Sequence, residues 1–231
     1  MRKLIIGLPI YNDLEKLKYA FYTFLNSTMI RDKIILLVSD SDDGTPEFCD
    51  ELAKFYSFVE VIHTPKEGPL KAYNRLFTIA KERKQDLFLT QTDVIFPRKY
   101  DVDWLQEMKR IADEREDCGL VTCWGGGGHS GPEFIQGFFW VGAWCTYVPY
   151  RTIEKIGGYD ENIPLGWGVD IDYAYAVNQA GLQIYTIDYW VQHRPDYVHS
   201  HSHEKVNDIE EKKKEAFFYM RKKWKVGEFT K

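Results

Sequence analysis

Strand-length apolar runs and segments of helical period alternate through residues 4–90, and that rhythm limits the fold more than any other feature. Leu4 to Leu8 reads as a buried strand stopped by Pro9. Asp13 can then cap a helix whose apolar residues Leu14, Leu17, Phe21, Phe24 and Leu25 recur at helical spacing. Ile34 to Val38 is a second strand. Asp40-Ser41-Asp42-Asp43-Gly44-Thr45 makes a turn, after which Thr45 and Pro46 start a helix ending near Tyr56. Phe58 to Ile62, Pro69 to Arg83 and Leu87 to Thr90 follow as strand, helix and strand. Such alternation predicts parallel βαβ units, hence an α/β fold with a doubly wound sheet.

The second half departs from that rhythm. A helix around Trp104 to Ala112 and a strand over Leu120 to Trp124 lead into Gly125-Gly126-Gly127-Gly128-His129-Ser130-Gly131, which has to be a loop. Gly126, Gly128 and Gly131 formally fit G-x-G-x-x-G, but no convincing long helix follows, so the loop reads either as a lid beside a binding site or as simple surface. Phe138 to Val148 suits one long buried strand. Val169 to Ala180 reads as a helix ended by Gly181, and Gln183 to Ile187 as another strand. Glu204 to Val226 is helical, with Val206, Ile209, Phe217, Met220 and Trp224 on its apolar face and basic clusters at Lys212 to Lys214 and Arg221 to Lys225. It is either a packing helix with a solvated basic face or a peripheral contact with an anionic membrane.

With 231 residues, 44% of them hydrophobic, the chain can bury a sizeable core and reads as one domain. A net charge of -5 argues against a nucleic-acid partner, which needs a basic surface. The seven Trp suit a dense core or exposed stacking surfaces. Cys49, Cys118, Cys123 and Cys145 form no C-x-x-C pair and are too sparse for a disulfide framework, so reduced, buried thiols are expected. The amino terminus lacks the apolar length of a signal peptide, and no run approaches the roughly 18 apolar residues of a membrane span. A cytoplasmic protein is the default expectation.

Acids fall where an α/β sheet receives ligands. Leu87-Phe88-Leu89-Thr90-Gln91-Thr92-Asp93 is an apolar run ending in a lone acid, and ligands bind at the carboxyl ends of strands in such folds. Asp93 is therefore the first candidate for a metal or phosphate contact, set against a turn aspartate that only caps. Pro9-Ile10-Tyr11-Asn12-Asp13 follows the first strand, Asp40 the second, and Asp170 with Asp172 opens a helix. Asp40 and Asp170 each have a turn or capping reading taken alone. Together these positions suit a nucleoside diphosphate, with an acid or amide on the base and a hard divalent cation on carboxylate oxygen.

The succession L-P-I-Y-N-D, V-S-D-S-D-D-G-T, E-G-P-L-K-A-Y-N-R, T-Q-T-D-V and I-G-G-Y-D-E with G-W-G-V-D-I-D resembles the family 2 glycosyltransferases, which use nucleotide sugars and have the GT-A fold. The likeness runs over nearly the whole chain, to the closing F-F-Y-M-R-K-K-W. It implies a Rossmann-like, mostly parallel sheet flanked by helices. A nucleotide-binding half would cover residues 1–97, a mixed acceptor-binding half 98–203 and a C-terminal amphipathic helix 204–231. By the same resemblance, Pro9, Tyr11 and Asp13 contact the nucleoside and Asp40 reads the base. Lys71, Asn74, Arg75 and Thr92 face the nucleotide, Asp93 is the last acid of a metal-binding D-x-D, and Asp170 is the general base. The implied reaction carries a sugar from a UDP- or GDP-sugar to the hydroxyl of a glycan, lipid-linked or other acceptor, with Mn2+ or Mg2+ and inversion.

Two residues depart from the family pattern. Gln91 stands where the first D-x-D acid is expected, and Val169 where a Glu would precede Asp170. Asp172 follows on another face of the helix and is a poor base. His193, after the strand region carrying Tyr189 and Trp190, and His199 are candidate metal ligands; His201 and His203 alternate beyond them, and the plainer reading is a polar loop. Trp140 and Trp144 fit a core strand, which leaves Trp124 and Trp167, beside Gly168, as acceptor-stacking candidates. Two rival readings stand: a sugar nucleotidyltransferase, which wants a Gly-rich basic loop that Pro9 to Asp13 does not provide, and a catalytically weak or inactive nucleotide- or sugar-binding module, motivated by Gln91 and Val169.

Overall fold

The computed structural model describes residues 2–12, 14–98, 102–126, 133–135, 138–140, 144–193 and 208–225. Strands β1 (Leu4–Ile10), β2 (Lys33–Ser39), β3 (Val59–Thr64) and β4 (Asp86–Thr90) lie in the spatial order β3-β2-β1-β4 and are all parallel. The crossovers that parallel neighbours require are α1 (Leu14–Ser27), α2 (Thr45–Phe55) and α3 (Pro69–Arg83). Pro9 does not stop β1, contrary to expectation. Pairing with β4 ends at Gly7, so Pro9, opposite Leu37, keeps one neighbouring strand only, where a missing N–H is tolerated.

Past β4 the sheet becomes mixed. The short β5 (Val94–Ile95) is followed by α4 (Trp104–Glu114), β6 (Cys118–Gly126), β7 (Glu133–Ile135), β8 (Phe138–Trp140) and β9 (Cys145–Val148). Then come α5 (Tyr150–Ile156), a 3-10 turn at Pro164–Gly166, α6 (Val169–Gln179), β10 (Gln183–His193) and α7 (Ile209–Trp224). The main sheet reads β3-β2-β1-β4-β9-β6-β10-β5, with β9 antiparallel to β4 and β6, and β5 antiparallel to β10. The single strand expected over Phe138 to Val148 is two: β8 pairs with β7 in a separate hairpin, while β9 fills the gap between β4 and β6. An unbroken apolar run says that both pieces are buried or paired, not that they share a sheet. β10 runs six residues beyond Ile187, across an irregularity between Ile187 and Trp190.

Alternation along the strands makes two cores. Leu4, Ile6, Leu8 and Ile10 face α1, α2 and α4, while Ile5, Ile35 and Leu89 face α3, α5 and α6. Trp104 is the centre of the first core, 1% exposed and stacked on Tyr189 at 4.9 Å and Phe96 at 5.3 Å. Removing such a ring costs about 3–5 kcal/mol. The C-terminal segment forms α7 as expected, although Val206, Val226 and the glycine run from Gly127 lie outside the described residues. Among the described residues, no helix is long and apolar enough to cross a membrane.

Candidate functional site

The carboxyl edge of the parallel strands is shaped by the loops after β1 and β2, which are stitched together. Asn12, at φ 46, donates its N–H to Ser41 Oγ at 3.1 Å and its amide to Asp42 Oδ1 at 2.6 Å, and accepts the Asp42 N–H at 2.9 Å. Asp43 accepts the first N–H of α1, from Leu14, at 3.0 Å, and that of Thr45 at 3.1 Å. Burial pushes the Asp43 carboxyl up, but the hydrogen bonds from Thr45 and Leu14 outweigh it and hold the group below its ordinary value. The α1 terminus is thus served from the neighbouring loop; Asp13, expected there, lies outside the described residues. On the rim so built, Tyr11 is half-buried and Asp40 is exposed. Lys66, which sequence reasoning passed over, sits 4.2 Å from the Tyr11 ring centre and donates to its hydroxyl.

The start of α3 adds a second wall. Lys71 is exposed and lines a cleft of about 260 Å³ together with Gly68, Leu70, Glu161, Ile163 and Leu165. Arg75 is held in a two-pronged pair with Glu67, whose carboxyl it keeps below the ordinary range. Asn74 is committed elsewhere: its amide donates to Tyr159 O and Glu161 Oε1, both at 2.9 Å, and accepts the Tyr159 N–H at 2.8 Å. It therefore clamps α3 to the loop after α5. Gly158 is what lets that loop approach, since a Cβ there would lie 2.5 Å from Asn74 Oδ1. The contact accounts for the second glycine of I-G-G-Y-D-E, while the first, Gly157, takes φ 79. Asn74 is thus spent on the fold, whereas Arg75, though paired with Glu67, is exposed.

Tyr73 marks where the separate pieces meet. Its ring is 7% exposed and packs on Tyr159 at 5.7 Å. Burial raises its hydroxyl pKa above the ordinary value; a Gln91 hydrogen bond opposes the shift, and the Asp93 and Asp170 carboxylates add to it. The end of β4 and the first turn of α6 therefore converge on one side chain. A tyrosine at helical spacing reads as core in a sequence, and only its place in K-A-Y-N-R hinted otherwise. Thr92 and Asp93 are half-buried in the turn between β4 and β5, and Asp93 Oδ1 is itself buried. The β5–β10 pairing sets His193 opposite Val94, next in the chain to Asp93. For His193 and Trp124 the structure describes the backbone, and His199, His201 and His203 lie outside the described residues. Among the described residues, no three His, Cys, Asp or Glu side chains gather as a closed metal site. One carboxylate at a strand end does fit a cation that takes most of its ligands from phosphates and water.

At the start of α6, Gly168 takes φ 81, which an L side chain rarely adopts, and a Cβ there would come within 2.9 Å of Met220 Cε. Val169, in the place of the expected Glu, packs with Met220 and Ile163. Asp170 follows, half-buried, with Oδ1 accepting the Ile171 N–H at 2.9 Å. Asp172, by contrast, is buried and bound by α7. Leu165, just before, is held at φ 57, a strained value for a bulky residue. The Trp167 ring is taken up by α7: it packs beside Met220, with Lys213 4.2 Å from its centre. A different tryptophan meets solvent. Trp190 is 54% exposed, in register with Trp124 at the carboxyl end of β10. Its neighbours Tyr189 and Val191 face the α1–α4 core, so Trp190 projects from the α6 side of the sheet. The strand expected over Gln183 to Ile187 continues as β10 to His193, which brings Trp190 to this edge.

Comparison with solved structures places this architecture among glycosyltransferases. A mannosyltransferase from Pyrobaculum calidifontis, solved with GDP-Man and Mn2+, superposes with a TM-score of 0.65 at 14% identity, over 99% of this chain and 66% of that one. GalNAc-T7, solved with UDP, GalNAc and Mn2+, gives 0.69 at 12% identity, over 94% and 48%. TarS from S. aureus gives 0.61 at 11% identity, over 83% and 36%. The chain thus spans between about a third and two thirds of the length of these proteins, and the likeness is one of fold, GT-A, as expected. No curated protein matches the chain. The family model described as Glycosyl transferase family 2 matches residues 5–136, from β1 through the hairpin strand β7. The chain belongs to glycosyl transferase family 2.

Proposed function

We propose that the chain transfers a glycosyl group from a nucleotide sugar to an acceptor hydroxyl, with inversion. The observation that supports this reading is that the Asp93 and Asp170 carboxylates both act on the buried Tyr73 hydroxyl, which sets a strand-end acid and a helix-start acid near one ring. The donor lies along the rim of Tyr11, Asp40 and Lys66, with Pro9 behind it and Thr92 beside Asp93. Its diphosphate is offset by Lys71, Lys66 and the free N–H groups at the start of α3. Asp170 takes the proton of the acceptor hydroxyl as that oxygen bonds to the anomeric carbon, while the bond from that carbon to the diphosphate breaks. A divalent cation, Mn2+ or Mg2+, would be held by Asp93 with His193 adjacent in register, and when bound it neutralises charge on the departing diphosphate. The neighbouring structures solved with Mn2+ and with UDP or GDP-Man support that choice of donor and ion. Trp190 supplies the stacking face for a sugar acceptor in place of Trp167.

Turnover of a panel of UDP- and GDP-sugars with Mn2+ tests the proposal. Slow donor hydrolysis is expected without acceptor, and faster donor consumption by transfer once a suitable acceptor is added. Saturable nucleotide binding with no turnover of any donor would favour the rival binding module, for which Gln91 and Val169 are the motive.

A further inference from the structure

Part of what holds α6 in place comes from α7, far along the chain. Asp172, two residues after Asp170, is 4% exposed, and both its oxygens meet Lys223 Nζ, at 3.0 and 2.8 Å. Its Oδ1 also accepts the Trp224 indole N–H at 2.7 Å. The same ammonium reaches Asp160 Oδ2 at 2.8 Å, an oxygen to which Tyr219 donates at 2.9 Å. One cation thus bridges two acids on separate elements, the loop after α5 and the first turns of α6. Burial works against the Lys223 charge, but the two carboxylates outweigh it and raise its pKa, so the bridge stays charged. Without the ammonium, two poorly solvated carboxylates would face each other.

We propose that Lys223 is a positioning residue for the transfer: its bridge between Asp160 and Asp172 fixes the first turn of α6 and so aims the Asp170 carboxylate. The inference rests on the reading of Asp170 as the base. Gly168 to Asp170 follow the strained Leu165, and α7 closes over them through Met220 as well. Tyr11 and Asp40 stand on other elements, so the bridge acts chiefly on the chemical step and little on donor binding.

Three variants test this: Lys223→Met, Lys223→Arg and, as a remote control, Arg83→Met, which breaks an exposed pair with Glu60. Donor KM, kcat and amide exchange over 168–173 are measured for each. Lys223→Met is expected to lower kcat by about 10- to 100-fold, with donor KM within about twofold of the parent. Exchange in the first turn of α6 speeds up, Lys223→Arg recovers most of both, and Arg83→Met changes neither. Parental kcat in Lys223→Met overturns the proposal, as does a loss that Lys223→Arg fails to repair. If Lys223→Met does not fold, Asp172→Asn is measured instead and is held to the same pattern. Exchange needs no substrate: unchanged exchange in α6 sinks the bridge whatever the activity, whereas a parent protein that turns over no donor sinks the transferase reading alone.

Discussion

At the start of β4, Asp86 is 3% exposed and accepts the Tyr147 hydroxyl and the Tyr150 N–H, each at 2.7 Å. It lies at the amino edge of the sheet, away from Asp93, and its partners account for all it does. Asp86→Ala leaves two buried donors unpaired and should lower stability by about 2–4 kcal/mol in urea unfolding, while nucleotide binding at the opposite edge persists. Trp190 belongs to a different case, a large ring 54% exposed. Trp190→Ala should raise acceptor KM by roughly 3- to 10-fold with donor KM unchanged, and Trp190→Phe should recover most of it; parental acceptor kinetics in the Ala variant would remove Trp190 from the site. Residues of this kind are hard to read from a sequence. Asp93 and Asp170 stood out because acids are rare next to apolar runs, whereas Tyr73 has the spacing of a core residue and becomes part of the site only through packing. Asn74 shows the reverse: its motif pointed to a ligand, and its amide is used up by the Tyr159 backbone.

Among the elements, the three βαβ units were legible because each helix and strand carries its own period. The strands β5, β7 and β8, of two or three residues, carry none, and nothing in the apolar sequence Cys145 to Val148 tells that β9 runs against its neighbours. The basic residues of α7 looked available for a membrane surface. In the fold, Lys212 and Lys213 pair with Glu215 and Glu210, and Lys223 is committed to Asp160 and Asp172. Docking of α7 has a pH signature. Burial pushes the Asp160 carboxyl up, but Lys223, Asn162 and Tyr219 outweigh it and bring the group from 3.8 down to about 2. Because the folded value lies below the ordinary one, its contribution is complete above about pH 4 and is lost as the pH falls through 2. Stability measured across that interval should therefore drop in the parent by up to about 2 kcal/mol from this group. Asp160→Asn should flatten that part of the curve, and an unchanged curve would show that α7 docks by its apolar face alone.

Across the whole molecule, the proposed chemistry gathers at the edge where β1, β2, β4 and β10 end and α3 and α6 begin, with α7 behind it. The cysteines belong to the scaffold: all four are buried, and burial first, with nearby carboxylates, pushes the Cys49 and Cys118 thiols up to about 12. Iodoacetamide at neutral pH should leave them unmodified until the fold opens, and alkylation of the native protein at the rate of a free thiol would contradict this. Family membership and fold make the chain a glycosyltransferase by descent; the two acids around Tyr73 are what would make it one in practice. The Mn2+-dependent rate of transfer by Asp170→Asn tests that claim most directly. A loss of about 100-fold or more in kcat, with nucleotide binding in a thermal-shift titration unchanged, is the predicted result. Transfer at the parental rate would contradict it.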